Sequence, residues 1–355
     1  MNIIFNEIKN YNINLIDVVN SKHSELNNKV NKIYVINLFE DIAKRNYIKL
    51  LMKKYNINYT LVVVNKITLN TYNKICGDTN LSIGELGCCL SHLWCLYSII
   101  KNKYKNAIIF EDDIILHKQF VQNFLQIYND NYDFLLLGSH DYNFSKLNYL
   151  NVVNNLYKPN INSVIYGAHA NYYSLKGAIA MFNIRISDIN FFDSEYMLMF
   201  ENFKDTSYIC YPNLVIADIT CSNLNHSHEI LSKTELNYYA RCFKNINFKD
   251  YNLIYLNLLN KEILHKESPI YLVQNYETYI TTCLYNYFYN HNDIINIKNR
   301  LVMNFFTLRD VMFILHNKDD IITTINTDNN ISKCNTNENI RHVRIMIDNE
   351  TIEQP

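Results

Sequence analysis

The amino-acid sequence predicts an α/β fold with a mostly parallel central sheet, followed by a mainly helical C-terminal region. Three observations support this prediction. Segments typical of strands and helices alternate between residues 32 and 137, which is the pattern of parallel βαβ units. Several of the strand segments are continuously apolar, as expected for strands covered on both faces. From residue 229 to about 320, long helical patterns rich in Tyr and Leu replace the alternation.

Each element is predicted from its own residues. β-branched and aromatic runs indicate strands, and apolar residues at helical spacing among Lys and Arg indicate helices. Ser82-x-x-Glu85 fits a capping box that starts a long apolar helix. The predicted strands are Lys32–Leu38, Tyr59–Val64, 107–110, 133–137, a strand within 165–174, and 214–219. The predicted helices cover 41–54, 82–100, 120–128, a start at 177–182, and 195–200.

The predicted organisation has three parts: an N-terminal extension (1–30), an α/β domain (31–228) and the helical region with a polar tail (229–355). The length of 355 residues allows one large domain or two ordinary ones. A homodimer through the C-terminal region and acceptor recognition by that region are both open predictions for 229–355.

Charge and composition exclude several classes of protein. The net charge is −1, from 33 Lys+Arg and 34 Asp+Glu, which argues against a nucleic-acid-binding protein or a protein drawn to anionic lipid. Residues 1–20 lack the apolar core of a signal peptide, and no apolar run reaches the roughly 18–20 residues of a membrane span. The nine cysteines have no paired C-x-x-C spacing, so we expect reduced thiols and a cytoplasmic protein. The excess of Asn, Ile, Lys and Tyr is typical of an AT-rich genome such as that of a large DNA virus, which would mean the host cytoplasm.

Three adjacent acids, Glu111, Asp112 and Asp113, follow the buried strand 107–110. Their mutual repulsion and desolvation would be offset by a divalent cation. Because side chains alternate in extended backbone, Glu111 and Asp113 should point the same way. Paired carboxylates suit a hard ion, Mn²⁺ or Mg²⁺, which commonly bridges to phosphate groups. The structural alternative is an acidic turn in solvent.

Four segments resemble glycosyltransferase family 25. Ile83 to His92 (IGELGCCLSH) is similar to the family motif G-E-x-G-C-x-x-S-H. The other three segments, in family order, are VINL at 35–38 followed by Arg45, IIFEDDI at 108–114, and GAHANYYSLKGA at 167–178. The resemblance covers about residues 31–228. This family includes lipooligosaccharide galactosyltransferases and procollagen hydroxylysine galactosyltransferases.

The resemblance implies a GT-A-type nucleotide-sugar-binding fold and a Mn²⁺-dependent, inverting transfer from a UDP-sugar. The transferred group would be a hexose, galactose or glucose, and the acceptor a hydroxyl of a glycan or of collagen-type hydroxylysine. Donor sugar and acceptor stay open, since no motif in the chain identifies either.

Site residues follow from the same segments. An inverting transfer needs a carboxylate base, for which Asp193 is the first candidate and Glu195 the second; the alternative for Asp193 is a helix N-cap. The metal ligands would be Glu111 and Asp113 with a late histidine, His226 or His228. Predicted contacts to the nucleotide-sugar are Asn37, Leu38, Arg45, Gly84, Glu85, Ser91, His92 and Asp112. The structural alternatives are a capping role for Glu85, a buried core position for His92, and core packing for Cys88 and Cys89.

Two other classes of function compete with the transferase. A non-catalytic scaffold could keep a glycosyltransferase fold for binding, although an intact acidic cluster argues against decay of the site. A metal-dependent phosphohydrolase also places acids at strand ends, and it would release sugar or phosphate without transfer to an acceptor.

Overall fold

A computed structural model describes residues 2–11, 13–76, 81–141, 152–160, 163–217 and 250–252, and the backbone of 345–347 and 350–352. The chain divides into two compact units. One contains Met1–Leu224 with Asp250–Asn252, and the other contains Asn225–Lys249 with Leu253–Pro355. His226, His228 and nearly all of the predicted helical region lie outside the described residues. In the second unit the described residues form two short strands, Ile345–Ile347 and Glu350–Ile352, that pair antiparallel.

The first unit contains twelve described strands and eight described helices. The strands are β1 (Ile13–Val18), β2 (Lys32–Leu38), β3 (Tyr59–Val64), β4 (Asn106–Phe110), β5 (Ile114–Leu116), β6 (Phe134–Leu136), β7 (His140–Asp141), β8 (Leu156–Tyr157), β9 (Ile165–Tyr166), β10 (Ala170–Ser174), β11 (Ser207–Cys210) and β12 (Val215–Ala217). The helices are α1 (Asn2–Asn10), α2 (Glu25–Lys29), α3 (Ile42–Lys54), α4 (Leu69–Cys76), α5 (Ile83–Asn102), α6 (Phe120–Ile127), α7 (Leu175–Ser187) and α8 (Tyr196–Asn202).

Eight of these strands form the central sheet, in the order β1-β3-β2-β4-β10-β6-β11-β8. β2 is parallel to β3 and β4, and β6 is parallel to β11. β10 is antiparallel to both β4 and β6, so β2, β3, β4, β6 and β11 all run in one direction. Helices flank this sheet, which confirms the predicted α/β class and agrees with a GT-A-like fold.

The antiparallel β10 determines which loops meet at the edge of the sheet. Ala170, the first residue of β10, lies opposite Phe110, the last residue of β4. The residues just before β10 therefore lie beside the residues just after β4. This juxtaposition brings together two segments about 60 positions apart in the chain.

The N-terminal residues are part of the same unit. β1 pairs antiparallel with β3 at the edge of the sheet, and α1 packs against α4 and α5. The sequence did not predict these two elements. The side chains of β1 are mostly exposed, so the strand lacks the alternation by which half-buried strands are recognised.

α5 is the long core helix, and its start is the predicted capping box. The Ser82 hydroxyl accepts a hydrogen bond from the Glu85 amide, and the Glu85 carboxylate accepts one from the Ser82 amide. α5 packs against β2, β4 and α7. By length and composition it could cross a membrane, but 56% of its apolar window is buried inside the fold, as in the core helix of a globular protein. The cytoplasmic location stays a prediction.

Candidate active site

The candidate site lies where β2, β4 and β6 end and β10 begins. In open α/β sheets this carboxyl edge is the usual place for ligands. The backbone amide of Glu111, just after β4, donates to the carbonyl of His169, just before β10 (2.9 Å). The first residue of the acidic triplet is thereby fixed to the sheet by its own main chain.

Glu111 points toward α5. Its Oε1 lies 2.9 Å from Nε2 of His92 and 3.5 Å from Sγ of Cys88. The ring of His92 stacks on that of Phe192, with centroids 4.3 Å apart and an angle of 22° between the planes. Burial opposes ionisation of Glu111, but the hydrogen bond and charge of His92, aided by His169, keep its pKa below the usual range. His92, completely buried, thus orients an ionised Glu111.

Asp112 and Asp113 face in another direction, toward α3. The ammonium of Lys44 lies 3.4 Å from Asp112 and 3.9 Å from Asp113. β4 ends at Phe110 and the two aspartates form a turn, so the rule of alternating side chains, from which a shared direction for Glu111 and Asp113 was expected, does not apply here. Burial raises the pKa of Asp112, and Lys44 opposes this rise.

The predicted nucleotide residues at the end of β2 form one hydrogen-bonded chain. The Asn37 amide donates to Asp112 Oδ2 (2.7 Å), and its Oδ1 accepts from Nε of Arg45 (2.8 Å). Arg45 also donates to the carbonyls of Leu38 and Phe39. Asn37 thereby links Arg45 on α3 to the acidic triplet.

The residues at the start of α5 have separate roles. Glu85 caps its own helix, so its structural interpretation is confirmed. The Ser91 hydroxyl donates to the Gly87 carbonyl one turn earlier (2.6 Å). A Cβ atom added to Gly87 would meet nothing within 4 Å, so the helix is open at this point. Gly84 is the first-turn glycine of α5, and its contact with a donor stays a prediction.

Asp193 belongs to the same cluster. Its Oδ2 accepts a hydrogen bond from the Gly167 amide (2.7 Å), in the segment that leads into β10. Burial raises the pKa of Asp193, the Gly167 hydrogen bond opposes this, and the charge of Glu111 adds to the rise. The residue that precedes α8 is Glu195, which makes no side-chain cap, so Asp193 is not the N-cap of that helix.

Glu195, the second candidate base, is held elsewhere. Its Oε1 lies 3.5 Å from NH2 of Arg185, a side chain with no exposed surface. NH1 of Arg185 donates to the Phe191 carbonyl (2.9 Å) and to the Ser194 hydroxyl (3.2 Å). Arg185 therefore fixes both ends of the short segment that carries Asp193.

Sequence reasoning missed three residues of this site: Lys44, His140 and His169. The rings of His140 and His169 lie 5.3 Å apart, and burial lowers the pKa of both, that of His140 to about 3. His169 lies within the family-like segment 167–178, and this position could have identified it from the sequence. Lys44 precedes the predicted Arg45 but gave no signal of its own.

The acidic triplet has the donor chemistry of a divalent-cation site, although Glu111 faces α5 and Asp113 faces Lys44, so the two side chains would have to turn toward one another to share one ion. Glu111 and Asp113 offer carboxylate oxygens, the ligands that Mn²⁺ and Mg²⁺ prefer, and their side chains are 26% and 13% exposed. Lys44 supplies one positive charge beside two of the three acids, so a further cation would be electrostatically favourable. Whether His226 or His228 contributes a ligand lies outside the described residues.

Comparison with protein families gives a match. Residues 30–180 match the model of glycosyltransferase family 25 (LPS biosynthesis protein). The match spans the chain from β2 into α7 and includes Asn37, His92 and the acidic triplet, whereas Asp193 lies beyond it. No curated protein compared with the chain matches it.

Proposed function

Since residues 30–180 match the model of glycosyltransferase family 25, we propose that the protein is a divalent-metal-dependent, inverting glycosyltransferase. It would move a hexose, galactose or glucose, from a UDP-sugar to a hydroxyl of a glycan or of collagen-type hydroxylysine. The observation that carries the proposal is the meeting of Glu111, His92 and Asp193 at the carboxyl edge of the sheet.

The nucleotide end of the donor would bind beside β2. Asn37 and Arg45, joined to Asp112 by one chain of hydrogen bonds, would contact the nucleotide there, and Asp112 would accept from a ribose hydroxyl. With their side chains turned toward one ion, Glu111 and Asp113 would hold Mn²⁺ or Mg²⁺, which when bound neutralises negative charge on a departing diphosphate. His92 keeps Glu111 ionised and oriented for this role.

Asp193 would act as the general base. As the acceptor oxygen bonds to the anomeric carbon, its proton passes to the Asp193 carboxylate, and the bond from that carbon to the phosphate oxygen breaks to release UDP. Burial raises the pKa of Asp193, which makes its carboxylate a better proton acceptor. The Gly167 amide holds one carboxylate oxygen, so the base is oriented before the acceptor arrives.

The test is Asp193→Asn, assayed as Mn²⁺-dependent release of UDP from UDP-Gal, UDP-Glc and UDP-GlcNAc, with and without hydroxyl acceptors. The amide keeps the shape and an acceptor for the Gly167 hydrogen bond but cannot take a proton. We expect turnover to fall about 10²–10⁴-fold with UDP binding unchanged. The matched control is Asp205→Asn, because the side chain of Asp205 is 96% exposed.

Full activity of Asp193→Asn would remove Asp193 from the mechanism. Asp113→Ala tests the metal: turnover should fall by several orders of magnitude with the melting temperature maintained. Release of phosphate or free sugar without transfer to any acceptor would favour a phosphohydrolase. Absence of stabilisation by UDP with Mn²⁺ in a thermal shift assay would favour a non-catalytic scaffold.

A further inference from the structure

Three potential metal ligands of different chemistry converge beside the acidic triplet. Cys88 and His92 are four residues apart on α5, so their side chains lie on one face of the helix. Both face Glu111, and Sγ of Cys88, Nε2 of His92 and a carboxylate oxygen of Glu111 all lie within 4.8 Å of one another. This group does not include Asp113, which faces Lys44.

The donor set differs from that of the proposed Mn²⁺ site. Thiolate, imidazole and carboxylate together are ligands of Zn²⁺, whereas Mg²⁺ and Mn²⁺ favour oxygen alone. Bonds of 2.0–2.3 Å to a tetrahedral ion place its ligand atoms about 3.3–3.8 Å apart. The distances of 2.9 Å and 3.5 Å from Glu111 to His92 and Cys88 require only small side-chain adjustments to reach this range.

We propose that Cys88, His92 and Glu111 form a binding site for a thiophilic divalent cation of the Zn²⁺ class. Three protein ligands leave a fourth position for water, and the neighbouring carboxylate of Asp193, which interacts electrostatically with Cys88 and Glu111, adds favourable negative charge. Binding requires a Cys88 thiolate and an unprotonated Nε2 on His92, so the thiol proton passes to solvent and any proton on Nε2 leaves that nitrogen for solvent or for Nδ1. Affinity should therefore rise with pH.

Cys88 differs from its neighbours in ways that suit this role. Cys95, on the same helix, is fully buried in the apolar core. The Cys88 side chain is only partly buried, and its thiol donates to a carboxylate. Cys95 is therefore a matched control on the same helix.

Occupation of this site has a consequence for activity. Because Glu111 cannot bind Zn²⁺ and Mn²⁺ at the same time, bound Zn²⁺ should inhibit Mn²⁺-dependent transfer. This consequence rests on the proposed function, whereas metal binding itself does not. The two are separable because binding has a spectroscopic readout.

The experiment uses the untagged, reduced full-length protein, titrated with Co²⁺ as a spectroscopic substitute for Zn²⁺. We expect a thiolate-to-cobalt charge-transfer band that saturates at one equivalent and is removed by added Zn²⁺. Cys88→Ser should lose this band and bind Co²⁺ at least about 100-fold more weakly, since even the loss of a group that only supports a ligand costs about 10–100-fold. Cys95→Ser should keep the charge-transfer band and the wild-type affinity for Co²⁺. Circular dichroism of each variant establishes that it is folded.

A wild-type spectrum without the band, or the same band in folded Cys88→Ser, would overturn the site. If Cys88→Ser does not fold, Cys88→Ala and His92→Asn replace it in the same titration. Zn²⁺ should inhibit sugar transfer by the wild type and not by Cys88→Ser. A cobalt band in a protein without transferase activity would support the metal site and refute the proposed function. Transferase activity without the band would support the proposed function and refute the metal site.

Discussion

The buried guanidinium of Arg185 holds the segment that carries Asp193, and replacing it with methionine should loosen that segment. Arg185 projects from α7 with no exposed surface. It donates two hydrogen bonds, to the Phe191 carbonyl and the Ser194 hydroxyl, and pairs with Glu195. Methionine retains an unbranched apolar side chain but removes the charge and every donor.

The magnitude follows from these contacts. Hydrogen bonds to a charged group contribute about 1.5–3 kcal/mol each. The Phe191 carbonyl keeps a bond from the Ser194 hydroxyl, and Glu195, whose side chain is 30% exposed, can turn toward water, so both losses are partly offset. We expect the free energy of unfolding to fall by about 2–4 kcal/mol. For a unit of this size that is a fall in melting temperature of roughly 5–15 °C.

The assay is thermal unfolding followed by circular dichroism at neutral pH, with turnover measured on the same samples. Lys158→Met is the matched control, because it breaks the Lys158–Asp205 pair, whose side chains are 46% and 96% exposed; it should change stability by less than about 1 kcal/mol. Arg185→Lys should recover part of the turnover, since an ammonium can restore one of the bonds to the Asp193 segment. A melting temperature of Arg185→Met within 1 °C of wild type, as an approximate limit, would refute this account of the buried charge.

Two further predictions concern stability. The Thr60 hydroxyl, aided by Lys32, lowers the pKa of Asp17; the stability gained is present above the ordinary carboxyl pKa and lost as pH falls through the lowered one. Thr60→Val should therefore reduce stability by less than about 1 kcal/mol at pH 7, and melting curves of variant and wild type should converge in acid. Gly177→Ala would place a Cβ atom 2.0 Å from the Asp133 carbonyl oxygen and should lower the melting temperature markedly, whereas the same change at Gly87, where the space is open, should be neutral or stabilise by up to about 1 kcal/mol. Equal melting temperatures for the two alanine variants would contradict the packing argument.

The central strands were predicted well because they are buried on both faces, and such strands have continuously apolar sequences. β3 is buried at every position, and its apolar run gave the observed bounds, as did the run of β2. β1 was missed because Leu15 and Ile16 are 48% and 40% exposed, and its place depends on pairing with β3 rather than on burial. The capping box at Ser82 was predictable because both of its hydrogen bonds are local.

Without the family resemblance, the site was predictable only where its residues are neighbours in the chain. Glu111, Asp112 and Asp113 could be found as a triplet, but the end of β4 at Phe110, after which their side chains diverge, could not. Lys44 reaches the acids from α3 through tertiary packing, and such contacts leave no periodic pattern in a single sequence.

Two backbone groups of the segment before β10 fix two acids of the site. The His169 carbonyl accepts from the Glu111 amide, and the Gly167 amide donates to Asp193. Gly167 has φ +118°, a conformation that requires glycine, and a Cβ atom there would lie 3.0 Å from the His169 ring, which would have to shift slightly. Because β10 runs antiparallel between β4 and β6, its start falls at the edge where its neighbours end. This main-chain arrangement positions Glu111, a candidate metal ligand, and Asp193, the candidate base, together. No pattern of side chains along the sequence could have predicted it.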